Sequence, residues 1–93
     1  MARGRRSLRG TKAFQREFAW WQKNFGSVVK EQRLKAKLSR RELAKRAKFS
    51  VSTLVHIEQG HGNPMLNNME NLAIALGTRL SRLFELAQNR ERR

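Results

Sequence analysis

The 93-residue chain contains no cysteine, no aspartate and no tyrosine, and only one proline. Without cysteine there are no disulfides, no thiolate zinc sites and no thiol catalysis, and a reducing compartment is the natural setting. Acid is scarce: seven glutamates stand against 21 lysines and arginines, a formal charge of +14. No apolar run approaches the roughly 20 residues that span a bilayer. The arginine-rich start has no apolar stretch behind it, which argues against a secretory signal, although its composition also suits a transit peptide. One proline and no strand alternation leave helices as the element type. The length holds one domain with one modest core.

What is abundant is positive charge, and it is unevenly placed. It amounts to about +6 over residues 1–24, +6 over 25–62 and +2 over 63–93. Such a balance points to a polyanionic partner, though a basic tail can also serve solubility alone. Residues 1–10 read as a flexible arm carrying Arg3, Arg5, Arg6 and Arg9. Thr11 is a cap for an extra amphipathic helix over residues 11–24, where Phe14, Phe18, Trp21 and Phe25 form one stripe. That stripe either packs on the domain as a further helix or serves as a dimer or partner surface. Gly26-Ser27 suggests a restart, with a helix from Ser27 to Lys37, although one bent helix is the alternative.

The densest pattern runs from Leu38 to Gly60. Ser39 with Glu42 forms a capping box ahead of Leu43, Ala44 and Ala47 on one face. Ser50 caps a second short helix whose Leu54 and Ile57 face inward, with Gly60 as its stop. Val51, Ser52, Val55 and His56 are left on the outer face. They are short and mild where a solvated helix normally carries Lys and Glu, which suits a helix pressed against base edges. Two helices joined this way form a helix-turn-helix, whose second helix enters the DNA major groove. Downstream, Asn67 with Glu70 is a capping pair for a helix ending at Gly77, and Leu80, Leu83, Phe84 and Ala87 mark a last helix. Residues 25–88 form the domain and 89–93 a frayed basic tail.

Arg33, Leu38-Ser39, Glu42-Leu43-Ala44, Phe49-Ser50, Thr53-Leu54, Ile57-Glu58-Gln59-Gly60, Asn63-Pro64, Leu72 to Gly77, Leu80 and Leu83-Phe84 stand together at fixed spacings. In these the chain resembles the lambda-repressor-like (Cro-like) helix-turn-helix domains. The resemblance implies an all-α, compact five-helix bundle, here with the additional N-terminal aromatic helix and basic arm. It also implies an inward ion pair of Arg33 with Glu58 and a dimer face of Leu80, Leu83 and Phe84. Lys37 and Lys48 depart from it, standing where the family has glycine, as does Met65, where Ser or Thr opens the fourth helix. Arg40 replaces the usual glutamine.

The resulting expectation is a sequence-specific duplex-DNA-binding transcriptional regulator, a repressor acting as a homodimer on a palindromic site, cytoplasmic and nucleoid-associated, of bacterial or phage type. Base reading falls to Val51, Ser52, Val55 and His56, and phosphate binding to Arg40, Arg41, Lys45, Lys48 and Asn63. The arginines of the arm are candidates for a minor groove. No enzyme activity, cofactor, metal, membrane or small-molecule ligand is expected: Glu42 and Glu70 are read as caps and Glu58 as a structural partner, no Ser/His/acid set or Gly-rich phosphate loop is suggested, and His56 and His61 lack further ligands. Two alternatives stay open. One is an antitoxin-like protein that holds a toxin through its aromatic helix and regulates its own operon. The other is a general RNA-binding protein.

Overall fold

The computed structural model describes residues 10–90, and among them lie five helices and no strand. They are α1 (Lys12–Lys35), α2 (Arg40–Ala47), α3 (Val51–Glu58), α4 (Leu66–Ala75) and α5 (Leu80–Gln88). The core is built on one fully buried leucine from each of the four short helices, Leu43, Leu54, Leu72 and Leu83, closed by Val28 and Val29 of α1. α1 packs against α3 and α5, α2 against α3 and α4, and α4 against α5. The single proline, Pro64, sits in the α3–α4 loop, where no helical hydrogen bond is lost.

The aromatic segment is not a separate helix. α1 runs without a break through Gly26-Ser27 and, at 24 residues, is about 36 Å long. Gly26 is buried because it is a contact point: a Cβ there would lie 2.0 Å from the Ile57 carbonyl oxygen. Glycine here lets α1 cross the end of α3 closely, and the remaining helical hydrogen bonds carry the chain through. Thr11 opens α1 as expected, its Oγ1 accepting from the Phe14 amide at 3.1 Å.

Helix ends show why these short segments fold. The Ser39–Glu42 capping box is complete: Ser39 Oγ accepts from the Glu42 amide at 3.0 Å and Glu42 Oε1 accepts from the Ser39 amide at 2.7 Å. These bonds hold the Glu42 carboxyl below its ordinary pKa, because its charged form is the better acceptor. Ser50 Oγ caps α3 by accepting from the Thr53 amide at 3.0 Å. At the other ends the chain turns through a left-handed residue, which lets two amides reach back to carbonyls of the last turn. After α3 this residue is Gly60, with His61 donating to the His56 carbonyl at 2.9 Å. After α1 and α2 it is Lys37 (φ 58°) and Lys48 (φ 64°), each followed by the same long back-bond, Leu38 to Arg33 at 3.1 Å and Phe49 to Ala44 at 3.1 Å. Both turns are therefore as tight as with glycine, and the side chain costs on the order of 1 kcal/mol at each.

One cap is different from expectation. α4 opens at Met65 without a side-chain hydrogen bond, and Asn67 already lies inside the helix, its Oδ1 accepting from the Asn68 amide at 2.9 Å. The chain enters α4 one residue after Met65, too early for Asn67 to cap it.

Candidate nucleic-acid interface

α2 and α3 are joined by Lys48, Phe49 and Ser50, and their positions follow from the core. Leu54 is fully buried and Ile57 nearly so, which fixes the rotation of α3. That rotation leaves Ser52 and His56 exposed and Val55 half-buried, with Val51 40% exposed at the first position. Ser52, Val55 and His56 are three and four residues apart and share a face. The four residues assigned to base reading thus form one surface of short side chains. It offers hydroxyl and imidazole groups for hydrogen bonds and valine methyls for thymine methyl contact.

Arg41, Lys45 and Lys48 are all exposed, and their four- and three-residue spacing puts them near one another on α2 and the turn that follows it. Asn63 is exposed in the α3–α4 loop. Arg46 adds a further exposed cation on α2.

Arg40 needs a correction. Its Nε donates to Glu58 Oε1 at 3.0 Å, and its side chain is 37% exposed. It is not a cation held for phosphate alone but the third member of a buried cluster. Arg33 Nε reaches Glu58 Oε2 at 2.7 Å and Arg33 Nη2 reaches Oε1 at 3.2 Å, while Arg33 Nη1 donates to the Leu38 carbonyl at 2.9 Å. The Glu58 side chain has no exposed area. Three N–H donors thus neutralise one buried carboxylate and tie α1, α2 and α3 together. The pair of Arg33 with Glu58 matches expectation; the share of Arg40 was not visible, because its partner lies 18 positions along the chain and no local spacing marks it.

The expected dimer face also changes. Leu83 has no exposed area and belongs to the core. Phe84 is half-buried, with ring centroids 6.0 Å from Trp21 and 5.5 Å from Phe25. Leu80 is half-buried as well. Leu83 therefore cannot face a partner while the chain is folded. Arg90, assigned to the frayed tail, instead donates from Nη2 to Glu31 Oε1 at 2.9 Å. The arm residues Arg3, Arg5, Arg6 and Arg9 lie outside the described residues.

A left-handed turn joining two short helices, the first carrying exposed cations and the second presenting short side chains, defines a helix-turn-helix domain. The helix-turn-helix family model matches residues 29–83, more than half the chain, and the chain belongs to this family, in its Cro/C1 type. It is a DNA-binding transcriptional regulator. Among solved structures it is similar to two crystal structures of the clp gene regulator ClgR from Corynebacterium glutamicum, each 20% identical. One superposes with a TM-score of 0.71, covering 73% of this chain and 72% of that one; the other gives 0.69, covering 73% and 88%. At that identity the likeness shows the fold. No curated protein matches the chain. Among the described residues no helix is long and apolar enough to cross a membrane.

Proposed function

We propose that this chain is a sequence-specific repressor that binds a twofold-symmetric duplex site as a homodimer. The observation that carries the specific reading is the exposed face of α3. In a chain with 21 basic residues, that face carries Val51, Ser52, Val55 and His56 and no lysine or arginine. A surface meant only for phosphate would be basic throughout; this one is built for base edges and is flanked by the cations. Ser52 and His56 donate or accept at bases, Val51 and Val55 pack on thymine methyls, and Arg41, Lys45, Lys48 and Asn63 hold the backbone. Arg40 contributes to phosphate binding through the part of its guanidinium not engaged by Glu58. Arg3, Arg5, Arg6 and Arg9 supply an arm for an adjacent groove. The repressor acts by occupying its site, in the nucleoid of a cytoplasm.

Alanine at Ser52 or His56 tests the reading. Both side chains are exposed and neither caps a helix, so the melting temperature stays within a degree or two. Specific affinity falls by roughly 1–3 kcal/mol for each lost base contact, with selectivity relaxed at one or two base pairs. Affinity for random duplex stays the same. If the variants lose nothing on the selected site, α3 does not read bases, and RNA or protein binding becomes the better account.

A further inference from the structure

The stripe of α1 has an unused half. Phe14, Phe18, Trp21, Phe25 and Val28 follow one another at alternating steps of four and three, the spacing of a seam between two helices. The second half of the seam is occupied: Val28 is fully buried, Phe25 is 4% exposed, and Trp21 and Phe25 both meet Phe84. At the first half, Phe14 stacks on Phe18 at a centroid distance of 5.5 Å, and both residues are only half-buried, as is Trp21.

Beside this stripe lies an apolar slot of about 250 Å³. Phe18, Trp21 and Phe25 form one wall, and Ile57, Pro64 and Met69 close it from the other side. Gln22 Nε2 donates to the Gly62 carbonyl and ties the α3–α4 loop to the slot's edge. A cavity of about 150 Å³ is enough to hold benzene, so the slot is large enough for a phenylalanine ring. Phe14 is not among the residues that line it. Each copy thus has one ring without a full seat and one seat without a ring, the condition for an isologous twofold contact.

The flanks of the seam decide what kind of helix fits. Gln15 and Gln22 border it on one side, Glu17 and Asn24 on the other, while Lys12, Arg16 and Lys23 point away on the opposite side of α1. An acidic partner helix would be met by lysine or arginine at the flanks, where seams choose their partners. Neutral amides on the flanks offer no cation for an acidic helix to meet, whereas a second copy supplies the ring that the slot lacks. We propose that a second copy of this chain covers the first half of α1. The two α1 helices cross antiparallel near residues 17–18, and Phe14 of each enters the slot of the other. This interface rests on the homodimer reading above and replaces the α5 face, whose Leu83 is buried.

Sedimentation equilibrium on the full chain tests it. Wild type self-associates; Phe14→Ala stays folded by circular dichroism and weakens association by about 30-fold per ring, so about 1000-fold for the symmetric pair. Ile74→Ala, which truncates an exposed apolar residue on α4, leaves it unchanged. A dimer that survives Phe14→Ala overturns the interface and leaves the homodimer reading intact. A wild type monomeric both free and on a twofold duplex overturns both.

Discussion

At the scale of single residues, the costliest position is Glu58. Its carboxylate has no exposed area and accepts three hydrogen bonds from two arginines. Removing the charge leaves Arg33 buried without its counter-ion, a loss of roughly 3–5 kcal/mol in pairs of this kind. For a domain of this size that is a large share of the stability. Glu58→Gln is expected to lower the melting temperature by more than about 10 °C, read by thermal denaturation. A shift of one or two degrees would mean that the amide replaces the carboxylate without cost. The pair of Arg33 with Glu58 was legible only through resemblance, because two charges 25 positions apart carry no local signal of contact. Gly26 was misleading for a related reason. Alone, a glycine-serine step reads as a break; the backbone of α3 lying against it, which gives it its purpose, is 31 positions away.

At the scale of elements, sequence and structure agree best where capping chemistry is local. Ser39 with Glu42, Ser50 with Thr53 and Thr11 with Phe14 each act across three residues, and each is realised. The α4 start was misread because Asn67 and Glu70 have the right spacing but lie within the helix, which begins at Leu66. The two left-handed lysines give a direct test of turn strain. Replacing Lys48 with glycine relieves a φ of 64° and is expected to stabilise the domain by about 1 kcal/mol while weakening binding to all duplexes. Chemical denaturation and a binding titration on the same variant separate the two effects; a destabilised variant would show that the lysine side chain earns its place in the fold. The capping box has its own pH signature. The Glu42 carboxyl is lowered in the folded state by its bonds to Ser39, so the unfolded chain takes up a proton first as pH falls. Its stabilising contribution is full above the ordinary glutamate range and is lost as pH drops through the lowered value. Acid unfolding of Glu42→Ala, compared with wild type, should show a smaller loss over that window; an equal loss would place the pH dependence elsewhere.

At the scale of the whole molecule, charge and shape divide the labour. The five-helix bundle holds α3 with its mild face outward, α2 carries exposed cations, and the described C-terminal third is nearly neutral by comparison. Charge and class were legible from composition and motif spacing. The burial of Leu83 was not, because Leu80, Leu83 and Phe84 look alike in the sequence and only packing shows that Leu83 is consumed inside the core. The central claim is that α3 reads duplex sequence, and selection of bound sites from a random pool of duplexes tests it most directly. The account predicts enrichment of one sequence made of two half-sites related by a twofold axis. Their centres should lie about 34 Å apart, one helical turn, so that both copies of α3 meet the same side of the DNA. A pool that stays random after repeated selection, with binding that depends on salt and not on sequence, would contradict it.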